Sequence, residues 1–167
     1  FGGMSFLQKL QEANFSGTLY PINPKATEIQ GLRAYPNLSS LPVVPDLAIV
    51  CVAAAQVPAV LKECGRIGLR HIHTLTAGFK EIGTEGGRQL EDEIASIAKE
   101  GGLLIIGPNC MGVYYPKLGM SFQPQFPKVS GLIAFASQSG QAAGEIINKT
   151  TQRGAFFNKA ISYGNAI

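Results

Sequence analysis

The chain has 167 residues, 46% of them hydrophobic, with 14 Lys and Arg against 11 Asp and Glu and a formal net charge of +3. That is apolar content enough for a sizeable core, while the small charge imbalance and the lack of a basic run exclude a nucleic-acid or membrane surface and leave a small anionic ligand compatible. The three cysteines, Cys51, Cys64 and Cys110, are odd in number and lack metal-ligand spacing, which fits reduced thiols in a cytoplasmic setting better than a disulfide framework. The apolar runs are strand-length, so no signal peptide or membrane span is predicted.

From the N-terminus, the paired glycines Gly2 and Gly3 lead into Phe6, Leu7 and Leu10 at helical spacing up to about Ala13, and residues 18–22 read as a strand. No strand precedes the glycine turn and the chain stops just after another strand, the pattern of a piece of a longer polypeptide. Asn23-Pro24-Lys25 ends the first strand. An irregular segment starts at Ala34-Tyr35-Pro36-Asn37, and residues 47–52 form a continuous apolar run of the kind buried on both faces of a parallel sheet. Helical spacing resumes at Val57, Val60, Leu61, Cys64 and Ile67 and stops at Gly68, after which residues 72–76 are strand-like. A further amphipathic helix carries Leu90, Ile94, Ile97 and Ala98, ends at Gly101-Gly102, and gives way to a strand over residues 103–106.

This alternation predicts an α/β fold with βαβ crossovers and a doubly wound parallel sheet. Residues 114–129, with Pro116, Pro124 and Pro127, read as an interdomain linker or extended crossover, which divides the chain into domains 1–126 and 127–167. The second part holds a strand at 132–136, a helix with Ala142, Ala143, Ile146 and Ile147 closed by Gly154, and a last strand. Such a single βαβ unit is too small to be stable alone.

Ligands in open α/β sheets collect at the carboxyl ends of the strands, and two glycine-bearing loops sit there: Gly107-Pro108-Asn109-Cys110-Met111-Gly112 and Ser137-Gln138-Ser139-Gly140. The second opens a helix, so a serine N-cap explains one hydroxyl, and two serines plus a glycine leave donors for a phosphate. Gly2 and Gly3 at a helix N-terminus either face a pyrophosphate or are structural. An NAD site wants an acid after the next strand. Here Lys25 stands instead, which suits the extra ribose phosphate of coenzyme A or NADP, or is an ordinary surface lysine. Thr76-Ala77-Gly78 contacts a ligand through hydroxyl and backbone groups or is a plain βα turn. His71 and His73 share one strand face with no further ligand to complete a metal site, which favours a structural or solvent-facing role. Cys110 reads as a small, partly buried residue more readily than as a nucleophile, and no Ser-His-Asp order or nucleophile elbow is present.

Taken in order, Asn23-Pro24-Lys25, Thr76-Ala77-Gly78-Phe79, the 107–112 loop and Ser137-Gln138-Ser139-Gly140 resemble the NDP-forming acyl-CoA synthetases, relatives of the alpha subunit of succinyl-CoA synthetase. The resemblance covers essentially the whole chain. It implies a Rossmann-like CoA-binding domain lacking its first strand, followed by the start of a flavodoxin-like domain. It also implies a parent enzyme that interconverts acyl-CoA, ADP and phosphate with a carboxylic acid, CoA and ATP, through an acyl phosphate and a phosphohistidine. Carried over by motif, Gly2 and Gly3 lie at the CoA pyrophosphate, Lys25 approaches the phosphoadenosine end, and Val52, Ala53, Thr76, Ala77 and Gly78 line the rest of the coenzyme. Asn109 and Cys110 sit near the thiol, and Ser137, Gln138, Ser139 and Gly140 receive the phosphohistidine. That histidine lies further along in the family, and neither His71 nor His73 stands in its motif, so no catalytic residue is expected in this chain and the chain alone is expected to be inert. ATP or ADP with Mg belongs to an ATP-grasp domain or subunit, the implied partner in an oligomeric enzyme. Two other readings are a CoA-sensing domain of a larger protein, such as an acetyltransferase fusion, and a nicotinamide-dependent oxidoreductase, the latter disfavoured by Lys25.

Overall fold

The computed structural model describes residues 3–167; the expectation for Gly2 lies outside the described residues. Helix α1 (Gly3–Glu12) turns Phe6 and Leu10, four apart and therefore on one face, into the interior. Residues 18–22 do not form a strand. Ile22 makes a single parallel bridge to Tyr35, flanked by Tyr35 N–H donating to Pro21 O and Asn23 N–H donating to Tyr35 O, both at 2.8–2.9 Å. Pro21 and Pro24 lack the N–H that would extend a ladder, so the apolar run stays an extended segment. The short antiparallel hairpin that follows, β1 (Glu28–Ile29) and β2 (Leu32–Arg33), turns on Gln30 and Gly31, whose φ values of 52° and 77° suit a two-residue hairpin turn.

Next comes a three-stranded parallel sheet in the order β3 (Ala48–Val50), β4 (His71–Thr74), β5 (Leu104–Ile106), with Ala48 opposite Ile72 and Ile72 opposite Ile105. The crossovers are α2 (Val57–Ile67) and α3 (Glu85–Gly101). Each stops where the glycines predict: Gly68 and Gly102 adopt left-handed conformations and return their N–H groups to the last helical carbonyls. Thr84 caps α3 by accepting from Gly87 N–H at 3.1 Å. Val57, Leu61, Cys64 and Ile94, all fully buried, pack with Val50 and Ile72 between helices and sheet. Burial of each aliphatic side chain contributes on the order of 2 kcal/mol.

A second sheet holds β6 (Gly112–Tyr114), β7 (Ile133–Ser137) and β8 (Phe157–Ser162) in the order β6-β8-β7, with β8 parallel to β7 and antiparallel to β6, and α4 (Gly140–Thr151) as the β7–β8 crossover. Residues 114–129 run largely as an irregular connection from β6 to β7, one of the two readings of their composition, and part of this segment packs into the core. Phe122 and Phe126 are buried, and Phe126 lies edge-on to Tyr114 and to Phe122 at ring separations of 5.2 and 5.1 Å. Tyr114 Oη donates to Pro127 O at 2.5 Å. Aromatic burial outweighs the prolines, which merely shape an irregular path. Phe6 and Leu10 of α1 join this aromatic group, Ile147 of α4 and Phe157 of β8 in one cluster, so the start of the chain shares a core with its end.

Candidate functional site

All three parallel strands deliver their carboxyl ends to one edge: β3 runs into Cys51-Val52, β4 into Leu75-Thr76-Ala77, and β5 into the 107–112 loop. A cleft of about 490 Å³ opens there, and it brings together Val52, Thr76, Ala77, Asn109, Cys110 and Gly140 of the residues expected from sequence. Cys51, Leu75, Met111 and Gln141 also line it and were not expected. For three of these a signal existed, since each directly adjoins a flagged residue at a strand end or helix start. Met111 lay in the 107–112 loop without being singled out as a contact. Gly3 abuts this wall, because a Cβ on it would lie 3.3 Å from Cys51 Cβ.

The strand ends are bonded to one another. Thr76 Oγ1 donates to Val52 O at 2.7 Å, and Asn109 N–H donates to Thr76 O at 2.9 Å, with Asn109 itself at φ 55°, a left-handed conformation that asparagine tolerates. Burial pushes the Cys51 thiol up to about 11 and the Cys110 thiol up to about 12, and Cys110 Sγ rests 3.6 Å from Thr74 O. Both therefore line the cleft as neutral thiols. No lining residue is charged, so an anion here would be held by backbone amides and by the helix N-termini at Gly3 and Gly140.

Several expected residues lie outside the cleft lining. Lys25 is exposed, and its backbone N–H donates to Asn23 Oδ1 at 2.9 Å in a local Asx turn. Ala53 precedes the 3₁₀ turn Ala54–Gln56 and is exposed. Gly78 has its N–H occupied by Glu81 Oε1 at 2.5 Å, and Phe79 N–H donates to the same carboxylate at 3.1 Å. Burial works against the Glu81 charge, but these amides and the Asn165 side chain outweigh it and hold the carboxyl below its ordinary range. In the second loop Ser139 Oγ accepts from Ala142 N–H at 3.2 Å as the N-cap, and Ser137 Oγ donates to Ser139 O at 3.0 Å. Gln138 Nε2 donates to Gly164 O. The first-turn amides of Gly140 and Gln141 remain as orphan helix donors at the cleft.

The two histidines part company. His71 is exposed at the start of β4 with Nδ1 3.1 Å from Asp46 O, whereas His73 is buried edge-on to Phe6 at 5.6 Å. Burial lowers His73 to about 4, so its ring is neutral, and its Nε2 has no hydrogen-bond partner. Among the described residues no group of three or more His, Cys, Asp or Glu could hold a metal ion, and no helix is long and apolar enough to cross a membrane.

A family model described as CoA binding domain matches residues 3–116. The chain is 40% identical over 155 residues to acetate–CoA ligase (ADP-forming) I of Archaeoglobus fulgidus, covering 91% of this chain and 22% of that ligase. It is 39% identical over 165 residues to the alpha subunit of acetate–CoA ligase (ADP-forming) II of Pyrococcus furiosus, covering 98% of this chain and 35% of that subunit. Among solved structures, the dinucleotide-forming acetyl-coenzyme A synthetase 1 of Ca. Korarchaeum cryptofilum, in complex with phosphate and ADP, superposes with a TM-score of 0.85 at 35% identity over 96% of this chain and 34% of that one. The chain thus spans about a quarter to a third of these relatives, and the Rossmann-like α/β fold is theirs. With the family model matching more than two-thirds of its length, the chain belongs to the CoA binding domain family.

Proposed function

We propose that this chain is the coenzyme A-binding portion of an NDP-forming acyl-CoA synthetase, with domains 1–126 and 127–167. The observation that carries the reading is the cleft at the ends of β3, β4 and β5, in a chain whose match to the CoA-binding family begins at the glycine that starts α1. Its wall suits the coenzyme. Val52, Leu75, Ala77 and Met111 offer apolar contacts to methylene groups, and Thr76 and Asn109 offer polar atoms to amides, the alternation found along a pantetheine arm. Asn109 and Cys110 lie at the thiol end, Gly2 and Gly3 take the pyrophosphate, and Lys25 reaches the phosphoadenosine end. Ser137, Gln138, Ser139 and Gly140 form the helix terminus that receives a phosphorylated histidine from beyond this chain, where the helix dipole and the orphan amides stabilise a phosphoryl group. A small carboxylic acid is the acyl donor, and an ATP-grasp domain or subunit supplies the nucleotide and Mg in an oligomeric, cytoplasmic enzyme. That the relatives are ligases favours this reading over a CoA sensor.

Calorimetric titration with coenzyme A, dephospho-CoA and NADPH tests the ligand. The expected result is binding of coenzyme A in preference to both controls, with Lys25→Ala weakening coenzyme A more than dephospho-CoA. A folded sample that binds NADPH but not coenzyme A would sink the assignment; equal losses for coenzyme A and dephospho-CoA would sink the role of Lys25.

A further inference from the structure

The turn after β8 is bonded to both glycine-bearing loops at once. Tyr163 N–H donates to Ser137 O at 3.0 Å and Gly164 N–H to Gln138 O at 3.1 Å, while Asn165 N–H donates to Pro108 O at 3.0 Å. Gly164 has φ 61°, and a Cβ there would collide with the carbonyl oxygens of Pro108 and Asn109, so the close approach needs glycine. The Asn165 side chain extends the connection. Its Nδ2 donates to Glu81 Oε2 and to Glu91 Oε2, each at 2.7 Å, and its Oδ1 lies 3.5 Å from Asn109 Nδ2, the longest contact of the set.

An amide NH₂ has two hydrogens, one for each carboxylate, and its oxygen still accepts. Glu91 is only 4% exposed and carries an ion pair to Lys80 Nζ at 2.6 Å; the same ammonium donates to Asn165 O at 3.2 Å. Glu81 meanwhile grips the Gly78 and Phe79 amides just beyond β4. Asn165 therefore joins the β4 turn, the side of α3 and the loop after β5, and it holds the peptide immediately before Asn109. An apolar residue there would leave a buried carboxylate oxygen with only the 3.3 Å Lys80 N–H contact, a costly state.

We propose that Asn165 is a positioning residue: by tying the Pro108–Asn109 peptide to the Glu81, Glu91 and Lys80 cluster, it fixes Asn109 at the cleft wall for the thiol-bearing arm of coenzyme A. This rests on the coenzyme reading above.

The test titrates this chain, unaltered and as Asn165→Ala, with coenzyme A and with adenosine 3′,5′-bisphosphate, which lacks the arm. Asn165→Ala is expected to lose roughly tenfold in coenzyme A affinity while the bisphosphate changes by less than about twofold. Equal losses for both ligands, or none for either, overturn the proposal. Asn165→Asp covers the case in which the alanine variant does not fold. It keeps the shape but faces Glu81 and Glu91 as a third carboxylate, offset only by Lys80, and donates only when protonated, so its coenzyme A deficit relative to the unaltered chain should narrow from about pH 8 to about pH 5.5. A pH-independent deficit counts against the proposal. If the unaltered, folded chain binds neither ligand, the coenzyme reading fails and the proposal falls with it; if it binds both and the variant loses both equally, the proposal alone fails.

Discussion

The loops at 107–112 and 137–140 carry the same sequence signal, a strand running into small polar residues and glycine, and the fold uses them differently. In the first, the glycine at 112 makes room for the His73 ring, while Asn109 and Cys110 are left on the cleft wall. In the second, the serine hydroxyls are spent locally, one as the cap of α4 and one on Ser139 O, and Gly140 makes room for Met111. A glycine after a strand thus announces close packing, but whether the polar groups beside it remain open to a ligand depends on which partners the rest of the chain brings.

The largest effect that would break this contrast is at Gly112. A Cβ there meets the His73 ring on a backbone at φ 87°, so Gly112→Ala should cost roughly 3 kcal/mol or more and lower the melting temperature by about 10 °C. A variant that melts like the unaltered chain would show that the loop is not seated on His73. Next is acid sensitivity. His73 is held at about 4 against an ordinary value near 6.5, so the folded state binds fewer protons than the unfolded one. Its contribution is fully present above about pH 6.5 and is lost as pH falls toward 4, by about 3 kcal/mol in total. Urea unfolding across that range should show the loss, and His73→Leu should flatten it.

A smaller effect is expected at Gly140. Its clash is with the flexible Met111 side chain, so Gly140→Ala should cost about 1–2 kcal/mol, with Met111→Ala relieving much of it in a double-mutant cycle. Additive losses would separate the two residues. Smallest is Ser139→Ala, which removes the N-cap and should cost about 1 kcal/mol in chemical unfolding; no change would mean that the hydroxyl is free for another partner.

Much of the fold was legible because its signals are local. Apolar spacing marked α2 and α3, Gly68 and Gly102 marked their ends, and the runs before Cys51, Leu75 and Gly107 marked the parallel strands whose tips form the cleft. Residues 18–22 misled because an apolar run was weighed without its prolines; for 114–129 the prolines marked an irregular connection, while the burial of Phe122 and Phe126 was not legible. Among site residues, Val52, Thr76, Ala77, Asn109, Cys110 and Gly140 were readable as strand-end or helix-start positions. Met111 lay in the 107–112 loop without being singled out as a contact, and Asn165 was not readable, since it lies in no pattern that sequence spacing reveals.

The sequence by itself determined periodicity, helix stops and the strand-end positions of the motifs, because each depends on residues within a few places of one another. Only the tertiary structure decided which amides and hydroxyls are already occupied, that His73 is sealed and neutral while His71 is exposed, and that Asn165 reaches Glu81 across 84 positions. Those outcomes turn on desolvation and on hydrogen-bond partners supplied by distant segments, and no local pattern encodes them.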